Sequence, residues 1–259
     1  MRIALGIEYD GSAYYGWQRQ AKGPTVQANV EQALSIVADH AVRIVCAGRT
    51  DTGVHATAQV VHFDTHSVRE GDSWVRGANA NLPVDIRLQW SACLDESFHA
   101  RFSARRRRYR YIILNRPVAT AVLRRLVCHE RLPLDHERMQ LAARALVGEH
   151  DFTSFRAAGC QAKSPRREIY RLDVSRSGNC VYIDVEANAF LHHMVRCIAG
   201  VLLAIGRGEQ PIEWSAVVLQ AADRTLSGVN APPGGLYLAG VTYDPGYRLP
   251  AEPRLPVYG

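Results

Sequence analysis

The sequence predicts an α+β protein made of two similar halves. From Ile3 to Tyr9 every second residue is apolar, which is typical of a strand, and from Thr25 to Ala38 apolar residues recur at helical spacing. Two short strands, a helix and a strand follow, and the second half repeats this βαββαβ order. We therefore expect two tandem ferredoxin-like (RRM-like) units, joined through a mainly antiparallel sheet with helices on one face.

The remaining elements follow from local patterns, and we place the domains at 1–104 and 105–259. Thr25 is the expected N-cap of the first helix. In the first half we expect strands at about 42–47, 56–63 and 86–94 and a helix near 72–81. In the second half we expect strands at 109–114, 169–176, 181–187 and 236–243 and helices at 135–147, 190–205 and 211–222. Gly148 should end the helix at 135–147, and the proline-rich residues 244–259 should be irregular.

The composition is that of a soluble globular protein, with 47% hydrophobic and 22% charged residues in 259. The start, MRIALGIEYD, lacks the basic and apolar regions of a signal peptide, and the apolar run at 198–206 is too short to cross a bilayer. We therefore expect a cytoplasmic protein without a membrane partner. The six cysteines form no C-x-x-C pair, and His192 and His193 are adjacent rather than at ligand spacing, so we expect no metal site.

Basic residues favour an anionic partner, since the net charge is +6 and 29 of the 31 basic residues are arginines. Residues 100–111, ARFSARRRRYRY, interleave arginines with Tyr109 and Tyr111. Phosphate contacts combined with base stacking require this mixture. A solvated charged surface would have the same composition, so the pattern alone does not establish RNA binding.

The segment GRTDTG at 48–53 is the second feature that points to function. It joins the second and third strands of the first half, whereas a short hairpin joins the equivalent strands of the second half. Functional residues often lie on such longer loops. Asp51 could equally be an ordinary turn residue. Its DTG is not that of an aspartic protease, which needs two carboxylates sharing a proton, because the chain has one DTG and Arg49 favours the ionised form of Asp51.

The string GRTDTGVHATAQVVHF resembles the catalytic signature of the tRNA pseudouridine synthase A family, whose G-R-T-D-x-G-V-H core residues 48–55 match. Thr52 and Ala56 stand where relatives tend to have Ala and Gly. The resemblance covers nearly the whole chain, through the blocks IEYDGSAYYGWQRQ at 7–20, NANLP at 79–83, FHARFSARRRRYRY at 98–111, DFTSFR at 151–156, ANAFLHHMVR at 187–196 and GLYL at 235–238.

This resemblance implies the pseudouridine synthase fold and the isomerisation of uridine to pseudouridine in the anticodon arm of tRNA, at nucleotides 38, 39 and 40. It also implies a homodimer that uses neither cofactor nor metal. Three points stay open. The aspartate could attack the sugar, attack the base or remove a ribose proton, and neither the preferred uridine nor the number of tRNAs bound per dimer follows from the sequence. The rival hypothesis is an RNA-binding protein without catalysis.

The resemblance also assigns roles to individual residues. Asp51 matches the essential aspartate, and Arg49 matches the residue that pairs with and orients it. Tyr109 matches the tyrosine that stacks on the target base, and Arg196 matches an active-site arginine; without the resemblance, they would be a core tyrosine and a solvated helix arginine. Leu236 or Leu238 is expected to form the apolar wall of the pocket. Contacts with the RNA backbone are expected from Arg19, Arg105, Arg106, Arg107 and Arg108.

Overall fold

A computed structural model describes residues 1–70, 72–250 and 252–258 of the chain. The chain forms two compact units: unit 1 comprises Met1–Arg105 and Tyr237–Leu255, and unit 2 comprises Arg106–Leu236 and Pro256–Gly259. The chain first passes from unit 1 to unit 2 after Arg105, one residue from the boundary predicted at 104. The segment after residue 236, which the sequence assigned to the second half, lies mostly in unit 1, because its strand pairs there.

Unit 1 has the predicted βαββαβ order with one strand added from the end of the chain. Its elements are β1 (Arg2–Tyr9), α1 (Val26–Ala38), β2 (Val45–Cys46), β3 (His55–Asp64), α2 (Ser73–Asn81), β4 (Ile86–Leu94) and β10 (Leu236–Thr242). The strand order is β4-β1-β3-β10, and β2 also pairs with β3.

The strand β3 lies at the centre of this sheet and uses its two edges differently. One edge pairs with β1 in antiparallel fashion from Asp64 to Ala56. The other edge is shared: β2 pairs antiparallel at His62, and β10 pairs parallel at His55. The loop at 47–54 therefore leaves the sheet between the part of the edge held by β2 and the part held by β10.

Two predictions in unit 1 need correction. The strand expected at 42–47 is reduced to Val45–Cys46, because the N–H groups of Val42 and Ile44 donate to the side chains of Ser35 and Glu31 of α1. Thr25 precedes α1 as predicted, but its side chain makes no capping hydrogen bond. Loop carbonyls take that role instead, since the first two helical N–H groups donate to the carbonyls of residues 16 and 17.

Unit 2 contains a group of mainly antiparallel strands and three α-helices. Its elements are β5 (Arg106–Asn115), β6 (Cys128–Glu130), α3 (His136–Ala143), β7 (Gly148–Asp151), β8 (Arg166–Ser177), β9 (Cys180–Ala187), α4 (Met194–Gly206) and α5 (Trp214–Ala221). Strands β5, β9, β8 and β7 pair antiparallel in that order, and β6 pairs parallel with β5. The prediction of an α+β fold with mainly antiparallel pairing is confirmed.

The helix predicted at 135–147 ends as an α-helix at Ala143 and continues as a single 3-10 turn, Arg144–Leu146. Gly148 has a positive φ of 106° and begins β7, so it does end the helical segment. The helix predicted at 190–205 begins later, at Met194, because His193 before it adopts the left-handed conformation.

The tail contains a 3-10 turn at Pro245–Tyr247 and is otherwise irregular at 248–250 and 252–258, as predicted, while residues 251 and 259 fall outside the described residues. Within residues 1–70, 72–250 and 252–258, no helix combines the length and the hydropathy that crossing a bilayer requires.

Candidate active site

The loop that carries Asp51 follows β2, and its first residues are bonded to β3. The N–H of Ala47 donates to the carbonyl of Val60 at 2.8 Å, which extends the pairing of β2 by one residue. The next residue, Gly48, is held by the fully buried side chain of Gln59, whose Nε2 donates to the Gly48 carbonyl at 2.6 Å. This role of Gln59 could not be predicted from the sequence, because a polar residue inside a strand is usually at an exposed position.

Thr50, the residue before the aspartate, points into unit 1. Its Oγ1 lies 2.8 Å from the hydroxyl of Tyr9 in a buried hydrogen bond, and its carbonyl accepts the N–H of Trp17 at 3.0 Å. Trp17 is 1% exposed. The side chain and the backbone of Thr50 are thus both anchored to the segment at 9–17, which fixes the backbone from which the half-buried Asp51 projects.

A tight turn follows directly. The N–H of Val54 donates to the carbonyl of Asp51 at 3.1 Å, and Gly53, the third residue of this turn, has a φ of 75°. A positive φ at the third turn position favours glycine. The D-x-G spacing of the motif therefore has a structural cause in the turn that presents Asp51.

Two glycines of the YDGSAYYG segment let the backbone approach this loop. A β-carbon at Gly11 would lie 2.0 Å from the carbonyl oxygen of Val54, and one at Gly16 would lie 2.7 Å from that of Thr50. Gly16 also has a φ of 82°. The segment is therefore a backbone support for the Asp51 loop.

The end of the loop is held by His55, which is 1% exposed. Its Nδ1 lies 3.1 Å from both the backbone N of Gly11 and Oδ1 of Asp10. Hydrogen bonding to His55, reinforced by Ser12, holds the pKa of the Asp10 carboxyl well below its usual range. The His55 ring also stacks on Tyr237 of β10, with 4.7 Å between the ring centroids.

Arg49 is exposed. The pairing with Asp51 and the orienting role that the resemblance implies for Arg49 stay predictions.

In unit 2, Tyr109 lies in β5 opposite Val185 and is 8% exposed. Its ring meets that of Phe190 edge to face, with centroids 5.0 Å apart. The tyrosine is packed as a strand residue would be, and its base-stacking role stays a prediction. Phe190 lies in the ANAFLHHMVR block, and the sequence analysis assigned it no individual role.

Arg196 is the third residue of α4 and is half-buried rather than solvated. Its Nε donates to the carbonyl of Ala231 at 2.9 Å, while the N–H of Ala231 donates to the carbonyl of Arg196 at 3.0 Å. This reciprocal pair fixes the base of the side chain. The contact excludes the alternative of an unconstrained surface arginine, and the active-site role stays a prediction.

A polar cluster fixes the start of α4 beside Arg196. The amide Nδ2 of Asn230 lies 3.2 Å from Nδ1 of His193, and its Oδ1 accepts a hydrogen bond from Sγ of Cys197 at 2.9 Å. A β-carbon at Gly200 would lie 2.2 Å from the carbonyl oxygen of Val229. The segment at 229–231 is therefore packed tightly along α4.

Both candidate pocket leucines are buried: Leu236 is 5% and Leu238 is 0% exposed. Leu238 pairs with Ala56 of β3. Burial suits an apolar wall in either position, and the assignment to a pocket stays a prediction.

The five arginines predicted to contact RNA already have partners in the protein. Nη1 of Arg19 lies 3.3 Å from the buried carboxylate of Glu31, and Arg105 pairs with Asp244. Arg106 pairs with Glu186, and Arg107 donates to the carbonyl of Asn188. Arg108 lies near the carboxylate of Asp184. Arg19, Arg105 and Arg106 are exposed, whereas Arg107 and Arg108 are half-buried, so the first three are better placed to reach a phosphate.

Comparison with known proteins identifies the relatives of this chain. The family model described as tRNA pseudouridine synthase matches residues 6–103 and 142–244. A tRNA pseudouridine synthase A from Coxiella burnetii (strain Dugway 5J108-111) is 54% identical over 257 residues, covering 99% of this chain and 98% of the relative. Proteins of the same name from Shewanella amazonensis and Aeromonas salmonicida are 55% and 54% identical and cover 96% and 100% of this chain, each at 96% of its own length.

Among solved structures, a chain from the crystal structure of a Cbf5-Nop10-Gar1 complex aligns with 91% of this chain and 48% of its own length. The alignment has a TM-score of 0.39 and 13% identity.

Proposed function

The chain belongs to the tRNA pseudouridine synthase family, and we propose that it isomerises uridine to pseudouridine at nucleotides 38, 39 and 40 of the anticodon arm, with Asp51 as its essential group. That it is an isomerase acting on tRNA follows from full-length similarity to relatives of that name. The target nucleotides and the residue roles are the proposal.

The reaction sets the requirements for the site. The bond between N1 of uracil and C1′ of ribose breaks, the base turns over, and C5 joins C1′, while the hydrogen on C5 is lost to water and N1 gains one. An ionised carboxylate can begin this by attacking the sugar or the base, or by removing a ribose proton. Each of these three reactions requires a carboxylate that is held in a fixed position beside the nucleotide.

The observation that carries the proposal is the fixed backbone around Asp51. The hydrogen bonds of Thr50 to Tyr9 and Trp17, the turn closed by Val54 and the close approach of Gly16 hold the loop from several sides. A functional group supported in this way is pre-organised for chemistry. An Asp that only capped a surface turn would not need buried support from a distant segment.

The other proposed roles follow from the chemistry of each group. A uridine in the stem must leave its base stack, and the ring of Tyr109 offsets part of the lost stacking. Arg49 pairs with and orients the aspartate, Arg196 supplies positive charge to the substrate, and Leu236 or Leu238 supplies an apolar wall. Arg19 and Arg105–Arg108 contact RNA phosphates. We further propose that the protein acts in the cytoplasm as a homodimer, without cofactor or metal.

Tritium release from tRNA labelled at C5 of uridine tests the proposal. We expect release with the wild-type protein and none above background with Asp51→Asn, while tRNA binding is kept. The control is Asp39→Asn, because Asp39 is exposed and has a φ of 58°, which Asn also adopts. Release that persists in Asp51→Asn would refute the role of Asp51. Binding without release by the wild-type protein would support the RNA-binding alternative.

A further inference from the structure

Phe102 is the most exposed of the Phe, Tyr and Trp residues in the described parts of the chain, with 76% of its surface in solvent. It lies in unit 1, in the turn after β4. Phenylalanine is usually buried, but a singly exposed apolar residue needs no special explanation. The surroundings of Phe102 therefore decide whether it belongs to a binding surface.

The ring of Phe102 rests on a second ring that is itself fixed. His99 stacks beneath it, with centroids 4.3 Å apart and planes inclined by 27°. Nδ1 of His99 accepts the backbone N–H groups of Arg101 and Phe102, each at 3.2 Å. The imidazole therefore holds both the ring and the backbone of Phe102, while 76% of the residue's surface stays in solvent.

The turn below these rings is tied to the core of unit 1. The N–H of Ala100 donates to Nδ1 of the buried His62 at 3.1 Å, and the carbonyl of Ala100 accepts the hydroxyl of Tyr243 at 2.7 Å. Ser103 closes the turn, since its N–H donates to the carbonyl of His99 at 2.8 Å and its Oγ accepts the N–H of His99 at 2.9 Å. Phe102 is thus held in place before any ligand binds, which reduces the entropic cost of binding.

The charge beside the ring identifies the chemistry of the ligand. The guanidinium carbon of Arg101 lies 5.5 Å from the centroid of the Phe102 ring. Arg105 is exposed nearby in sequence and pairs with Asp244. An exposed aromatic ring next to an exposed cation matches a nucleotide, which offers a flat base and a phosphate together.

We propose that Phe102, supported by His99 and flanked by Arg101, is a stacking platform for an unpaired base of the tRNA. This inference rests on the proposed function. It adds a contact outside the Asp51 loop that contributes to binding rather than to the chemical step. A second copy of this chain is the competing occupant, which the experiment distinguishes.

The experiment uses the full chain with Phe102→Ala, Phe102→Leu and Phe102→Trp, and an unmodified tRNA transcript as the probe. Val84→Ala is the control, since Val84 is 88% exposed in the same unit. We measure the Kd for tRNA, the kcat and KM of tritium release, the sedimentation coefficient and the thermal midpoint. Phe102→Ala and Phe102→Leu should raise Kd and KM about tenfold and leave kcat unchanged. Phe102→Trp and Val84→Ala should behave like the wild-type protein.

Retention of wild-type affinity by Phe102→Leu would overturn the proposal, because an apolar contact would then suffice. Wild-type affinity in Phe102→Ala would overturn it directly, and a lowered sedimentation coefficient in Phe102→Ala would assign the ring to a contact between copies. A lowered thermal midpoint in Phe102→Ala together with weak binding by Phe102→Trp would show a structural role instead. Failure of the wild-type protein to release tritium would count against the proposed function and not against the platform, which tRNA binding tests independently.

Discussion

Gly16 lies directly against the backbone of Asp51: a β-carbon at Gly16 would come within 3.0 Å of the Asp51 carbonyl carbon. The contact joins two motifs that are 35 residues apart in the sequence. The position of the candidate catalytic aspartate therefore depends on the absence of a side chain in another segment.

We predict that Gly16→Ala lowers tritium release at least tenfold, because the new methyl group must displace the Asp51 loop. The control is Gly208→Ala. Gly208 has a φ of 76°, close to the 82° of Gly16, but nothing lies within 4 Å of its added β-carbon. Each substitution should cost about 1 kcal/mol of stability through backbone strain. Equal activity of the two variants would show that the contact with Asp51 does not matter.

Gln59→Leu should destabilise the protein by about 2 kcal/mol and reduce activity, since the buried amide holds Gly48 at the start of the Asp51 loop. Urea unfolding and tritium release measure the two effects. Gln32→Leu, at an exposed position of α1, should change stability by less than about 0.5 kcal/mol. Wild-type activity in Gln59→Leu would show that the hydrogen bonds between Gln59 and Gly48 are not needed for catalysis.

The stability of unit 1 should fall in mild acid because of His62. Burial, with the positive charge of Arg2 and the neighbouring His99, lowers the pKa of His62 to about 4, against the opposing effect of Asp64. An unfolded histidine has a pKa of about 6.5, so between these values the unfolded chain binds a proton that the folded chain does not. Stability from this group is complete above pH 6.5 and is lost as the pH falls toward about 4.

Urea unfolding at pH 7.5 and pH 5.0 tests this prediction. The wild-type protein should lose about 2 kcal/mol more than His62→Asn on acidification. The Asn side chain does not titrate, and its amide oxygen can accept the Ala100 N–H that Nδ1 of His62 now accepts. The same acid sensitivity in both proteins would assign the effect to other groups.

Glu31 should be important for stability, because its 3% exposed carboxylate accepts hydrogen bonds from several groups of unit 1. Its donors are Arg19, Gln27, Arg43 and the N–H of Ile44. We expect Glu31→Ala to cost about 2 to 3 kcal/mol in urea unfolding. Arg43→Ala, which removes one donor with a 74% exposed side chain, should cost less than about 1 kcal/mol. Similar losses in the two variants would contradict a central role of the carboxylate.

The sequence predicted best those elements whose pattern is local and long. Strand β4 matches its predicted bounds, and α1 buries Val26, Val30, Ala33 and Leu34 as its periodicity requires. The strands β6 and β7 have three and four residues, too few for a periodic pattern to appear. The parallel pairing of β10 with β3 joins residues 182 apart, from His55 to Tyr237, and no local signal encodes such a pairing.

The candidate site shows the same division. The motif identified Asp51 directly, and the need for a glycine at 53 follows from the turn. The supporting roles of Tyr9, Gln59 and Gly16 could not be predicted, because they arise only where distant segments meet.

The pairing of β10 with β3 also has a consequence for biosynthesis. Unit 1 takes its last strand from residues that leave the ribosome after those of unit 2 up to Leu236. Until then, the end of β3 next to the Asp51 loop is an unpaired strand edge, and His55 lacks the ring of Tyr237. The nascent chain therefore cannot complete the surroundings of its candidate catalytic loop before Tyr237 and Leu238 of β10 have been translated.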